Sequence, residues 1–235
     1  MSKILLAAAA AFATTIAIPA AAAPAQKAAA RDWSKTVVPT TGGGFRMGNP
    51  AAKVKLVEYG SMTCSHCAHF ANDSESQLVA KYVRSGKASF EFRNFVMNPY
   101  DMAASLTARC SGPTGFFPVT HKLFATQQDW INKLRAIGEA GLKPVEALPA
   151  PQQMQKIADL TGFTDVAKAR GYPVAKYKAC IGSQKNIDVL VKMRNAADSL
   201  VEGTPTFTIN GSKVVFDPNG GDYWDQLDPK IAAAL

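Results

Sequence analysis

Cys64-Ser65-His66-Cys67 is the stretch whose residue types and spacing most directly point to chemistry. Two cysteines three apart at the start of a helix share one turn and can close a small disulfide ring. The first turn of a helix offers free N–H groups and a partial positive charge, both of which stabilise a thiolate on Cys64. A protonated His66 would add to that effect. An apolar run, Val54-Lys55-Leu56-Val57-Glu58-Tyr59, precedes the pair and is expected to form a buried strand, with Gly60-Ser61 as the turn. C-x-x-C beside a strand–helix–strand pattern favours redox chemistry.

The elements that must hold this pair follow from periodicity. A helix is expected from about Ser65 to Ser85, with Phe70, Leu78, Val79, Tyr82 and Val83 largely at three- and four-residue spacing and Gly86 as its stop. Ala88–Phe95 largely alternates and reads as a second strand. The next hundred or so residues are helical in period or propensity, over Met102–Cys110, His121–Ile137, Met154–Thr161, Val166–Lys168, Val174–Ile181 and Ile187–Leu200. Prolines and glycines such as Pro113, Gly115 and Pro118 punctuate them. Thr206–Ile209 and Lys213–Phe216 flank Asn210-Gly211, a strong hairpin signal. A last helix starts near Asp222 and should break or kink at Pro229. Upstream, Thr36-Val37-Val38 could add a short edge strand. Gly42-Gly43-Gly44 lacks the Gly-Lys-Ser/Thr ending of a phosphate loop and reads as linker. The sum is an α/β chain, a thioredoxin fold interrupted by an inserted helical domain. Its expected divisions are a signal peptide over 1–22, a flexible segment over 23–45, thioredoxin parts over 46–98 and 199–235, and the helical insertion over 99–198.

Lys3, the apolar run Ile4–Ile18 and Ala20-Ala21-Ala22 make a secretory signal with expected cleavage after Ala22. Export to the periplasm follows, and no other segment approaches membrane length. With 47% hydrophobic residues in 235, the chain can bury a sizeable core. Its formal charge of +8 is scattered, with no run of four basic residues, so a nucleic-acid partner is not expected. In an oxidising compartment four cysteines allow three pairings. If Cys64 pairs with Cys67, Cys110 and Cys180 remain. Those two could form a structural disulfide, which is favoured, a second redox pair or two buried thiols.

At this point the chain resembles the DsbA-type thiol–disulfide oxidoreductases, over roughly Gly48 to Leu235. Glu58 lies six residues before Cys64, where that family keeps a buried carboxylate beneath the active site. Gly203-Thr204-Pro205-Thr206-Phe207 is similar to the family's loop before the hairpin, whose proline is cis and faces the C-x-x-C. One departure is Ser65, where the best-studied members carry proline; serine restores a backbone N–H and loosens the turn. The resemblance implies Cys64 as nucleophile, Cys67 as resolving cysteine, His66 as stabiliser of the Cys64 thiolate and Glu58 as proton acceptor and donor for Cys67. Ser65, Thr204 and Pro205 would face a bound peptide, Thr204 through its backbone. Some relatives look to carry a second bridge, as Cys110–Cys180 would be.

His66 and His69 could be drawn into a metal site with the cysteines, but at helical spacing they project away from the sulfurs, so no metal is expected. The redox-active disulfide would be the only prosthetic device. His121 reads as an ordinary packing or surface histidine. Met62 and Met97 could flank a substrate groove or fill the core. The expected activity is a periplasmic oxidase that donates its disulfide to unfolded exported proteins with free thiols and is reoxidised by a membrane DsbB-like or quinone-linked partner. A monomer is expected. The alternatives are an isomerase or reductase, or a peptide-binding adaptor or holdase with an inert site.

Overall fold

A six-stranded sheet organises the chain in the order β1 (Val37–Pro39), β2 (Phe45–Gly48), β4 (Ala88–Asn94), β3 (Val54–Gly60), β5 (Thr206–Ile209), β6 (Ser212–Lys213). β3 and β4 run parallel and the other neighbours antiparallel. A parallel pair needs a crossover, and here it is one long helix. That helix comprises α1 (Ser65–His69), a π-helical segment Phe70–Ser74, α2 (Glu75–Leu78) and a second π-helical segment Val79–Val83. The computed structural model describes residues 31–235, which cluster as one unit. The expected signal peptide, and the expected tether as far as residue 30, lie outside the described residues.

The inserted block is α3 (Pro99–Cys110), α4 (Gly112–Ala125), α5 (Gln127–Glu146), α6 (Ala150–Thr161), α7 (Phe163–Ala169), α8 (Val174–Ile181) and α9 (Gln184–Ala197), and α10 (Tyr223–Ala234) closes the chain. Among the described residues no helix is long and apolar enough to cross a membrane. The core lies between one face of the sheet and the helices above it. Leu56, Phe90, Phe92 and Phe207 are fully buried there with Phe70, Leu78, Phe116 and Phe117. Phe45 stacks on Phe116 with ring centroids 4.2 Å apart, and Phe70 meets Phe207 edge-on at 4.8 Å. Strand alternation sends Lys55, Val57 and Tyr59 to the opposite face. There they line a groove of about 420 Å³ with Arg46 and Arg93, away from the two sulfurs.

Several expectations needed correction. Residues 33–35, read as the end of a tether, and Gly42-Gly43-Gly44, read as linker, are ordered into the fold, on either side of the edge strand expected near Val37. Trp33–Lys35 forms a 3-10 turn whose Trp33 N–H donates to the Arg84 carbonyl, and β1 pairs with β2 around the glycine run. β2 itself was not anticipated. Pro113 and Pro118, read as punctuation, lie inside α4, Pro113 in the first turn, where a missing N–H costs nothing. The expected helix His121–Ile137 is split between α4 and α5, and α5 kinks at Gly138, whose φ is +70°. Pro229 lies within α10 without ending it. The strand expected over Lys213–Phe216 shrinks to Ser212–Lys213. The hairpin turn stands as read, with Asn210 at φ 51° and Gly211 at φ 89°, the two left-handed positions of its tight turn.

Candidate active site

Cys64 is the N-cap of α1, in extended backbone at φ −81° and ψ 123°. A side chain at that position faces the N–H groups of the first turn. Cys64 and Cys67 are both thiols in this structure, Cys64 half-exposed and Cys67 buried. The Cys64 thiol is pulled down from its ordinary 9.0 to about 5. The largest cause is the hydrogen bond it receives from the Cys67 side chain; the Thr204 side chain and the backbone N–H groups of Cys67 and His66 add to it, against burial. Burial pushes Cys67 well above 9.0, reinforced by its bond to Cys64 and by the charges of Glu58 and Cys64. Two thiols of the same type thus separate into a ready thiolate and a held thiol.

Thr204 bears on Cys64 in both protonation states. In the thiol form Cys64 Sγ donates to the Thr204 carbonyl at 3.1 Å. A thiolate there meets a carbonyl dipole of the wrong sign, so the stabilising group on ionisation must be the Thr204 hydroxyl. That hydroxyl now donates to the Met97 sulfur at 3.7 Å. The Thr204–Pro205 peptide is cis and Pro205 is buried. Met97 is 59% exposed beside this loop, whereas Met62 is fully buried and belongs to the core.

Glu58 is 1% exposed on β3, facing the helix that carries Cys67. Burial raises its carboxyl well above the ordinary 4.5, and the charges of Glu75 and Cys64 raise it further. A carboxyl so placed holds a proton it can pass to a sulfur. Ser65 and His66 are exposed at the helix start. His66 aids the Cys64 sulfur through its backbone N–H. His69 is turned away from the sulfurs, with Nδ1 at 2.6 Å from Asp73 and Nε2 at 3.0 Å from Asp222, the N-cap of α10. Cys110 and Cys180 are joined by a disulfide between α3 and α8, with their Cα atoms 5.9 Å apart.

Sequence reasoning missed the residues that hold the turn before Cys64. Asp101, fully buried in α3, accepts from the Ser61 hydroxyl at 2.6 Å, the Met62 N–H at 2.9 Å, the Met97 N–H at 3.0 Å and the Ser105 hydroxyl at 3.1 Å. Gln127 Nε2 donates to the Met62 and Cys64 carbonyls, each at 2.9 Å. Asn98 Nδ2 donates to the Thr63 hydroxyl at 3.0 Å. These partners come from the helical insertion, 35 to 65 residues away in sequence. The only local signal was Asn98-Pro99-x-Asp101, which reads as a helix start.

A parallel pair bridged by a helix, a thiolate at that helix's N-terminus and a proline loop against it define the class: a thioredoxin fold with a helical insertion. The family model described as thioredoxin matches residues 40–228, and the chain belongs to that family. A protein-disulfide isomerase from Novosphingobium aromaticivorans is similar at 34% identity and a TM-score of 0.72, covering 80% of this chain and 95% of that one. Wolbachia pipientis alpha-DsbA1 shares the fold at a TM-score of 0.64 and 21% identity, covering 84% of this chain and 92% of its own. A Rickettsia felis protein provisionally named a protein-disulfide oxidoreductase is 29% identical over 70% of this chain. The chain spans about half the length of that relative, 52%.

Proposed function

We propose that this chain is a protein-disulfide oxidoreductase of DsbA type that works in the periplasm, as an oxidase. The observation that carries the reading is the separation of the two thiols, Cys64 at about 5 and Cys67 well above 9.0. In the oxidised protein a substrate thiolate attacks Cys64 Sγ, and Cys67 leaves and takes up a proton from Glu58. The second substrate thiolate then attacks its own disulfide-bound sulfur and releases Cys64 as a stable thiolate. Ser65, Thr204 and cis-Pro205 would border the bound peptide, with Thr204 turning its hydroxyl to the departing sulfur. Exported proteins with free thiols would be the substrates, and a DsbB-like or quinone-linked membrane protein the reoxidant.

Magnitude decides how far the thiolate alone carries this. At pH 7, a thiol at about 5 in place of 9.0 favours the reduced protein by roughly 3 kcal/mol, or about 60 mV. Solvent screening at a half-exposed sulfur trims that figure. The reducing and oxidising ends of this fold differ by about 150 mV, so the thiolate supplies less than half the span. The name of the Novosphingobium relative favours a second reading, disulfide isomerisation, which needs an intermediate potential. Equilibrating the Cys64–Cys67 pair against glutathione separates them. The expected value lies above the thioredoxin end near −270 mV, with the thiolate contributing up to about 60 mV. A value at that end would overturn the donor direction and point to a reductase.

A further inference from the structure

The redox step as drawn above leaves one proton without a route. When Cys67 leaves as a thiolate it is protonated by Glu58, and Glu58, buried beneath the helix, must then be reloaded from solvent. Six buried side-chain atoms lack a well-aligned hydrogen-bond partner among the described residues, and four of them belong to Glu58, Glu75, Thr120 and His121. Glu75 is only 3% exposed. Its position follows the first π-helical segment, Phe70–Ser74, whose wider turn shifts the helix phase, and π turns gather at functional sites. The Glu75 Oε1 atom is 2.8 Å from His121 Nε2 on α4, close but poorly aligned for a hydrogen bond. The His121 side chain is 44% exposed. Glu58 lies close enough to Glu75 to feel its charge, and buried polar atoms without a partner are where bridging water and moving protons are accommodated.

We propose that Glu75 and His121 form a proton route between solvent and Glu58, so that Cys67 is protonated on reduction and deprotonated on reoxidation without exposing the site. Both act through Glu58 and are positioning residues for the proton. The substrate dithiol gives up two electrons and two protons. The Cys64–Cys67 bond takes the two electrons, Cys67 takes one proton, Cys64 remains a thiolate and one proton goes to solvent. The proton that reaches Cys67 travels from His121 to Glu75 to Glu58. The charges around the route suit it. Cys64 also bears on Glu58, as Glu58 does on Cys67, and Tyr223 of α10 is close enough to feel Cys67, Cys64 and Glu58. His121 faces Glu75 and Arg170; burial disfavours its protonated form and Arg170 opposes it too, but Glu75 outweighs both and raises its value above 6.5.

The inference rests on the oxidoreductase reading, and one experiment separates their failures. Oxidised wild type, Glu75→Gln, His121→Gln and His121→Gly are mixed with a dithiol peptide in single-turnover stopped flow across pH 6 to 8. The route predicts roughly tenfold slower turnover in each variant, growing with pH, and recovery of His121→Gly by added imidazole buffer. The rate of Cys64 alkylation should not change, which also reports that the variants are folded. Should His121→Gly not fold, the pH profile of His121→Gln carries the same test. Unchanged turnover overturns the route, and so does a loss that is equal at every pH and not restored by imidazole, because that is a structural effect. A wild type that does not oxidise the peptide at all overturns the underlying reading and the route with it.

Discussion

Cys64 and Cys67 are the same residue type three positions apart, and their environments make them chemically unlike. Cys64 is favoured as an anion by hydrogen bonds at a helix start, while Cys67 is disfavoured as one by burial. Only a thiolate alkylates quickly. Reduced protein should therefore react with iodoacetamide at one sulfur, with a rate that is half-maximal near pH 5. A midpoint near 9 would remove the basis for Cys64 as nucleophile. The same shift fixes a stability trend. The folded value of Cys64 is depressed from 9.0 to about 5, so its contribution is complete above 9 and is lost as pH falls through 5. The raised value of Cys67 acts in the other sense and only above 9.0. The reduced protein should thus gain stability relative to the oxidised one as pH rises from 5 toward 9, measured as the difference between their urea midpoints.

The turn that aims Cys64 is held by a neighbouring element more than by its own residues. α3 supplies Asp101, whose carboxylate gathers two backbone N–H groups and two hydroxyls from both sides of the site. Replacing it by Ala leaves these buried donors without an acceptor, at about 1–3 kcal/mol for each that cannot find water. Asp101→Ala should lose roughly 3–5 kcal/mol in urea unfolding; a loss within 0.5 kcal/mol, about that of a surface site, would show that the turn stands without it. Burial raises Asp101 from 3.8 to about 6, against those hydrogen bonds. Its folded value is the higher one, so its contribution is present below 3.8 and lost as pH rises through 6. The stability difference between wild type and Asp101→Asn should shrink over that window. This element also marks what the sequence could and could not disclose. Cys64, Cys67, Glu58 and the Thr204-Pro205 loop were legible because their spacing is local or their resemblance specific. Asp101, Gln127 and the Glu75–His121 pair were not, because what matters about them is a contact with residues far along the chain. β2 was hidden for a different reason: Phe45-Arg46-Met47-Gly48 is four residues long and follows a glycine run that masks its alternation.

At the scale of the whole molecule, the insertion is tied into the thioredoxin part by α3. Its N-terminal end holds the Cys64 turn. Near its C-terminal end Arg109 donates to the Gly43 carbonyl at 2.8 Å and lies over the Phe45 ring at 5.2 Å, reaching the β1–β2 turn and β2. Cys110, the last residue of α3, is bridged to Cys180 of α8 across 70 residues. The bridge therefore fastens the end of α3 opposite the one that holds the Cys64 turn. In the chain-entropy view, a closed loop of 70 residues stabilises by about 4 kcal/mol, through the unfolded state. The double variant Cys110→Ala/Cys180→Ala should lose most of that in denaturant unfolding. Its Cys64 alkylation midpoint should stay near 5, because Asp101 and Gln127 still hold the turn. A shifted midpoint would mean that the insertion reaches the site through the bridge as well as through Asp101. Thiol counting supplies the companion test. The oxidised, denatured wild type should show no free thiol, and two would mean that Cys110 and Cys180 are unpaired in solution.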